Sequence, residues 1–335
     1  MRRLLLFCVA AVCSGSLFAQ ERSPILPSVS LKGSEITDQA IQRLAKQRWD
    51  TVRLSDGESH VRSKVNWGAA ENLRQATSIR ALHLSGQDVA RHIHLAKRIK
   101  GLVELSVDAP MTTRTLEEIA ELSDLTSLRL SHDLTISVSG ARAIARLVKL
   151  KALNLAFVDI DDASFVELGS LVDLEVLDLS GTRITDEGLA TLQKFPRLRK
   201  LELIRHFEPP LTDGCVRSIV GLKELQHVSM SGAITPEGLA QVVKLPKLKS
   251  LSIWNTDISS GGLAALENSS IESLSLKSGQ AGIDADGTVD LKVLEPLKNC
   301  RMLKHIHVKD KQVPSEQTLE SLQRAVPEIS WTFSG

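Results

Sequence analysis

The sequence LEVLDLSGTRITDEGLATL, residues 174–192, decides the fold of this 335-residue chain. Leu177 and Leu179 alternate after Leu174, which predicts a short strand with one buried face. Thr185-Asp186 follows, and a threonine or aspartate there is placed to cap the first amides of a helix. Two leucines three residues apart end the stretch and lie on one helical face. One strand and helix of this kind cannot bury its own apolar side, so neighbouring copies must cover it.

Copies of this strand pattern recur along the chain at nearly constant intervals. Nine of the twelve intervals between successive first apolar positions measure 23–25 residues. The spacing predicts about thirteen strand registers in one array over residues 20–335, with the first and last units acting as caps. The first apolar positions are Leu26, Trp49, Ile79, Leu102, Leu125, Leu150, Leu174, Leu198, Leu225, Leu248, Ile271, Leu303 and Val326.

At these positions the chain resembles the leucine-rich repeat family. Its unit is similar to the subtype Leu-x-x-Leu-x-Leu-x-x-(Cys/Thr)-x-Ile-Thr-Asp-x-Gly-Leu, known from F-box-type substrate receptors and from many bacterial proteins. The resemblance extends over roughly residues 25–335, and the intervals lie in the family's range. It implies an α/β fold: a right-handed, curved solenoid with a parallel sheet on its concave face and helices on its convex face. We find no F-box segment, so substrate recruitment is not implied.

The first 19 residues have the pattern of a signal peptide. Two arginines precede the apolar run Leu4–Val12, which is too short to span a bilayer, and Ala19 is a plausible cleavage position. Lipoprotein processing at Cys13 is the less favoured alternative. The sequence therefore predicts export to the periplasm or to the outside of the cell. No later run reaches 18 apolar residues, so no transmembrane span is expected in the mature chain.

Charge and cysteine content restrict the chemistry further. The net charge of +1 argues against a nucleic-acid partner, which requires a basic surface. Cys215 and Cys300 lie about three repeats apart, on the order of 14 Å at the spacing of stacked strands. A disulfide needs Cα atoms within about 7 Å, so we predict two unpaired, buried thiols. We also expect a monomer.

The outward positions of the strands should form the concave face, and we expect any partner to contact it. This face is small, polar and rich in serine, whereas binding hot spots usually contain tryptophan, tyrosine or arginine. Trp254, at a strand exit, is therefore the most conspicuous candidate, although a ring folded over its neighbours is the favoured interpretation. The candidate binding residues are Trp254, Arg129, Asn154, Asp178, Glu202, His227, His305 and His307.

Two pairs on this face invite a chemical interpretation. Asp178 and Glu202 occupy equivalent positions of adjacent strands, and paired carboxylates can serve acid–base catalysis. We instead expect a solvated pair compensated by Arg129 and a neighbouring lysine, because a shallow, wet face should leave their pKa values unshifted. His305 and His307 point the same way but lack a third metal ligand. Neither a metal nor another cofactor is predicted.

The leading functional hypothesis is a non-enzymatic binding or scaffold protein with a protein partner. No nucleophile elbow, phosphate-binding loop, zinc-protease or dinucleotide motif is found. The alternative is a binder of envelope glycan or another non-protein ligand through Trp254 and the insertions. Those insertions, at residues 55–78, 206–210 and 278–290, lengthen three of the intervals and are either binding elements or tolerated surface loops.

Overall fold

The computed structural model describes residues 28–32, 35, 39–40, 42–43, 50–55, 79–86, 89–131, 134–205, 207–254, 262–277, 292, 295–309 and 315–334. Thirteen strands in these ranges form one parallel sheet, and their order in space follows their order in sequence. The strands are β1 (Ser28–Lys32), β2 (Thr51–Ser55), β3 (Ala81–Ser85), β4 (Glu104–Asp108), β5 (Ser127–Ser131), β7 (Ala152–Asn154), β9 (Val176–Asp178), β10 (Lys200–Leu203), β11 (His227–Ser231), β12 (Ser250–Trp254), β13 (Ser273–Lys277), β14 (His305–Lys309) and β15 (Ser330–Ser334). Two further strands, β6 (Thr135–Ile136) and β8 (Asp159–Ile160), pair with each other.

Short helices connect the strands. The α-helices are α1 (Thr113–Ile119), α2 (Val138–Ile144), α3 (Asp162–Glu167), α4 (Asp213–Ile219), α5 (Pro236–Val242) and α6 (Glu316–Ala325). Other connections use 3₁₀ helices, at Val89–Arg98, Leu168–Ser170, Gly188–Lys194, Gly262–Leu266 and Glu295–Asn299. Four of these 3₁₀ helices complete only about one or two turns, and 3₁₀ geometry is common in such short pieces; Val89–Arg98 is longer, with ten residues. The predicted α/β solenoid is confirmed.

Aliphatic side chains fill the space between the sheet and the helices. Leu153, Leu177 and Leu201 pair in register on neighbouring strands and are at most 1% exposed. Burying one leucine completely stabilises a fold by about 2 kcal/mol. Phe165 and Phe195 add a tilted ring contact, with centroids 6.0 Å apart. The inward leucines of one repeat are therefore covered by those of the next.

The last repeat departs from its predicted register. The structure pairs Ile306 with Trp331 and Val308 with Phe333, which places the first position of this repeat at Glu328. The prediction of Val326 is therefore wrong by two residues. The preceding helix, α6, is ten residues long where α1, α2, α4 and α5 have seven, so the strand begins later.

Threonine and aspartate have separate roles where the helices begin. The Thr235 hydroxyl accepts a hydrogen bond from the Gly238 amide at 3.2 Å and so caps helix α5. Aspartate instead bridges to the next repeat: Asp213 accepts from the Thr235 amide at 2.9 Å and from its hydroxyl at 2.6 Å. The same bridge joins Asp162 to Thr185 and Asp186 to Thr212. At the predicted pair the Thr185 hydroxyl accepts from the Glu187 amide at 3.3 Å, whereas Asp186 bridges to Thr212. In α3 an aspartate, Asp161, stands in the threonine position and is itself the cap.

These bridges also explain the glycine of the repeat. A Cβ atom on Gly188 would overlap the carboxylate of Asp162, and one on Gly238 would overlap that of Asp213. Gly214 meets Asp186 in the same way. Glycine is therefore required here to make room for the aspartate of the preceding repeat, and not for an unusual backbone angle.

The two predicted thiols are free and buried, as expected. Burial, assisted by the nearby Asp186 and Asp213 carboxylates, raises the pKa of Cys215 to about 12. Burial likewise raises the pKa of Cys300 to about 11. Both remain protonated and poorly reactive at neutral pH.

Several sequence predictions concern residues outside the described ranges. These are the proposed signal peptide, the first registers at Leu26 and Trp49, and most of the insertions at 55–78 and 278–290. Within the described ranges, the helices are too short or too polar to cross a membrane. Residues 207–210 of the insertion at 206–210 are described, and Phe207 there is exposed.

Candidate functional site

The predicted outward columns of the concave face are present. In the central column Arg129 pairs with Asn154, Asn154 with Asp178, and Asp178 with Glu202. The neighbouring column brings Lys200 beside His227. The central column continues through Ser229, Ser252, Ser275, His307 and Thr332. Strands about 4.8 Å apart place each of these side chains against its counterparts on both sides.

Asp178 is the centre of a hydrogen-bonded cluster. Asn154 Nδ2 donates to Asp178 Oδ2 at 2.9 Å, and the Ser180 amide donates to Asp178 Oδ1 at 2.9 Å. The Ala156 amide in turn donates to Asn154 Oδ1 at 3.0 Å. Asp178 and Asn154 thus each bind a backbone amide just after their own strand and also bind each other across two repeats. These contacts give the Asp178 carboxyl group a defined orientation.

The Glu202 side chain is buried, although it lies on the outward face of the sheet. It is 8% exposed, and its Oε1 lies 2.6 Å from Lys200 Nζ. Burial, together with the negative charge of Glu202, raises the pKa of Asp178 to about 6; the Ser180 hydrogen bonds and Lys200 oppose the shift. The predicted solvated pair is therefore wrong: closely spaced strands let Asn154, Asp178, Lys200 and Glu202 cover one another.

Arg129 and His227 flank the cluster without neutralising its carboxylates. Arg129 lies two strands from Asp178, with Asn154 between them, and no ion pair among the described residues includes it. Burial and the charges of Lys200 and Lys249 lower the pKa of His227, which keeps its ring neutral at pH 7. Lys200 is then the ammonium closest to two carboxylates.

Trp254 is in a different environment at the end of β12. Lys309 Nζ lies 4.5 Å from the centroid of its ring, and the indole N–H donates to Ser252 Oγ. The ring is half-buried, which agrees with the favoured interpretation of a ring packed on its neighbours. Lys309 was not among the candidates, because the contact joins strands two registers apart and depends on a long side chain.

The two histidines of β14 also differ from each other. His305 is exposed, whereas His307 Nδ1 lies 3.0 Å from Thr332 Oγ1. Burial and Lys309 lower the pKa of His307. No group of three histidine, cysteine or acidic side chains within the described part of the chain could hold a metal ion.

A small crevice at the strand exits is lined by Leu179, Thr182, Ile184, Leu189, Leu203, Arg205 and Leu211. It has room for about one water molecule, far less than the clefts in which small-molecule chemistry is carried out. The Asp178 cluster lies on the open sheet, on the other side of the strands' inward leucines. Its ordered charges suit recognition better than turnover.

Comparison with known proteins identifies the fold family. The family model described as "Leucine Rich repeat" matches residues 172–192, the stretch that carries the Asp178 strand. The chain folds as a leucine-rich repeat solenoid. An internalin (inlF) from Listeria monocytogenes has the same architecture: 15% identity, a TM-score of 0.51, and coverage of 92% of this chain and 82% of that one.

Two further comparisons have a more limited scope. A leucine-rich repeat protein of Leptospira interrogans aligns over 88% of this chain and 91% of its own, with 14% identity and a TM-score of 0.37. An adenylate cyclase of Schizosaccharomyces pombe is 40% identical over 85 residues, which is 25% of this leucine-rich repeat chain and 5% of the cyclase. So small a share of the cyclase carries no expectation of its activity.

Proposed function

We propose that this leucine-rich repeat protein is a non-enzymatic binding protein that engages a protein partner through the middle of its concave face. The observation that carries the proposal is the Asn154–Asp178–Glu202–Lys200 cluster. Its two carboxylates are held in place by hydrogen bonds and one ammonium group, so little side-chain freedom remains to be lost on binding. Binding residues held on strands are also positioned more rigidly than residues on loops.

The charge of the cluster indicates what the partner presents. Two carboxylates face a single ammonium at close range, which leaves an excess of negative charge when Asp178 is ionised. A basic side chain of the partner, placed over Asp178, would relieve the repulsion between Asp178 and Glu202. Arg129 stands at the rim of the cluster, where it can pair with an acidic group and set the partner's orientation.

The location of this interaction rests on the first 19 residues. Their basic start, apolar run and Ala19 favour export, so we place the partner in the periplasm or outside the cell. The near-zero net charge of the chain favours a protein over a nucleic acid as the partner of this face.

Affinity capture with matched variants tests the proposal. The protein without residues 1–19 is crosslinked in an envelope or secreted extract, in parallel with Arg129→Glu on the concave face and Arg114→Glu on helix α1. Arg114 is highly exposed and serves as a charge-matched control. We expect a crosslinked partner that Arg129→Glu loses and Arg114→Glu retains. Equal recovery with all three proteins, or no recovery from either extract, would count against this face as the binding surface.

A further inference from the structure

The C-terminal part of the concave face has a chemistry of its own. Strands β11–β15 contain no aspartate and no glutamate. Serine or threonine fills most of their outward positions, and the remaining ones include His227, His305, His307, Lys309 and Trp254. The Asp178 cluster lies on β7, β9 and β10, so the outward carboxylates end at β10, and Lys309 lies farther along the sheet on β14.

Among the described residues, the acidic group closest in sequence to these strands, Glu272, is already compensated; Asp310, which follows β14, lies outside the described residues. Glu272 precedes β13 at the edge of the sheet, where Lys304 lies 3.2 Å and Lys249 lies 3.6 Å from its carboxylate oxygens. One carboxylate between two ammonium groups leaves this edge with net positive charge. The edge therefore strengthens the basic character of the strands beside it.

Lys309 and Trp254 supply a cation and a ring in one place. The Lys309 ammonium lies 4.5 Å from the ring centroid, a distance at which the ring attracts the cation and holds it at the sheet surface. Thr332 lies beside this lysine's strand and is exposed, with its hydroxyl 3.0 Å from His307 Nδ1. Positive charge, hydroxyl groups and part of an indole are thus combined on one open surface.

We propose that the outward face of β11–β15 binds an acidic polysaccharide, a sugar chain that carries carboxylate or sulfate groups. Lys309 matches the anionic groups, while the histidine rings and the serine hydroxyls can both donate to and accept from sugar hydroxyls. The serines repeat from strand to strand about every 4.8 Å, so a polymer with a repeating unit meets the same contacts several times.

Other polyanions fit this face less well. An acidic peptide would need pockets or aromatic anchors for its side chains, and Trp254 is the one aromatic side chain directed outward from these five strands. Single-stranded nucleic acid is held by several stacking rings along a basic groove. A surface with many hydroxyl groups, one aromatic ring and few cations matches a sugar chain.

This inference rests on the proposed use of the concave face for binding, but it places the ligand on different strands. The test measures binding of dextran sulfate and of polygalacturonate at low salt, with neutral dextran and polyglutamate as comparisons. We expect both acidic polysaccharides to bind, dextran to remain unbound, and polyglutamate to bind more weakly than either. Comparing the two acidic sugars shows whether sulfate or carboxylate is preferred.

Matched variants locate the site. Lys309→Gln and Trp254→Ala are each expected to weaken binding of the preferred polysaccharide by about fivefold, the effect of losing one cationic or ring contact. Lys223→Gln removes an exposed lysine away from the sheet and should leave the affinity unchanged. Circular dichroism of each variant checks the fold, and Lys309→Gln alone decides the matter if Trp254→Ala unfolds.

Three results would overturn the inference. The first is no binding of either acidic polysaccharide, and the second is equal binding of polyglutamate. The third is equal weakening by Lys309→Gln and Lys223→Gln, which would indicate unspecific charge attraction. Arg129→Glu is expected to abolish partner capture and to leave sugar binding intact, so failure here is distinguishable from failure of the proposed function.

Discussion

The carboxyl group of Asp178 accepts hydrogen bonds from Asn154 and Ser180, and yet its pKa is raised to about 6. Such hydrogen bonds favour the ionised form, so burial and the adjacent Glu202 must outweigh them. The native state therefore binds a proton that the unfolded chain releases at a pH near 4. Ionisation of Asp178 therefore lowers the stability of the folded protein. Such destabilising groups are typical of residues that are kept for recognition.

The first prediction concerns this cost. Because the folded pKa lies above the unfolded value, the contribution of Asp178 to stability falls as the pH rises from about 4 to about 6, and the loss persists above pH 6. Asp178→Asn should therefore raise the free energy of unfolding at pH 7.5 by up to about 3 kcal/mol, at 1.36 kcal/mol for each of two pKa units. The gain should shrink towards zero at pH 4, as measured by urea unfolding.

An exposed acid outside the Asp178 cluster provides the control. Asp124→Asn removes a carboxylate that pairs with Lys149 at 2.7 Å on the surface, and its effect should stay within about 0.5 kcal/mol at both pH values. If Asp178→Asn destabilised the protein equally at pH 4 and pH 7.5, the hydrogen bonds would matter more than the charge repulsion.

The columns of candidate residues followed from the repeat register, because a side-chain period of two determines which residues face outward. Their environments did not. Burial of Glu202 depends on how Lys200 and Asp178 lie over it, and the contact of Lys309 with Trp254 depends on a side chain reaching across β13. The sequence pattern determines on which face of the sheet a residue lies, whereas side-chain conformations determine the charge environment of each ionisable group.

At the level of elements, the unit Thr-Asp-x-Gly links one repeat to the next. Its threonine caps its own helix, its aspartate bridges forward to the next threonine, and its glycine leaves room for the aspartate behind. The sequence motif indicated a cap but not a bridge, because the partner lies 22–26 residues away. Strand positions were predictable at most registers, while the last was displaced by the longer helix α6.

The second prediction tests the bridge. Gly188→Ala should destabilise the protein by about 2 kcal/mol, because the new methyl group overlaps the Asp162 carboxylate. Asp162→Ala should cost about 1–3 kcal/mol through its lost bonds to Thr185. The double variant should cost at least about 1 kcal/mol less than the sum of the two, since removing Asp162 makes room for the methyl group. Thermal or urea unfolding of all four proteins measures this coupling.

Gly169→Ala is the matched control for the second prediction. A methyl group there meets only the flexible end of the Lys194 side chain, which can move away. It should change the stability by no more than about 0.5 kcal/mol. Strictly additive effects of Gly188→Ala and Asp162→Ala would show that the glycine is needed for another reason.

Over the whole molecule, the inward leucines form a continuous core from Val52 to Ile329 within the described residues. Tyrosine is absent from the sequence and aromatic residues make up 3% of it, so stability depends on many similar aliphatic contacts. In such a stack each repeat contacts its two neighbours, and the stability of the array is approximately a sum of repeat and interface contributions. The acidic and basic parts of the concave face can then change in evolution, or unfold locally, independently of each other.

The third prediction follows from this arrangement. Leu177 in β9 packs between Leu153 and Leu201, and Ile306 in β14 packs between Leu274 and Trp331. Leu177→Ala should cost about 2–5 kcal/mol locally and lower hydrogen-exchange protection in β7, β9 and β10, with little change in β14. Ile306→Ala should do the reverse and affect β13, β14 and β15. Equal loss of protection in every strand, from either variant, would mean that the sheet opens as one cooperative unit and that its acidic and basic faces cannot open independently.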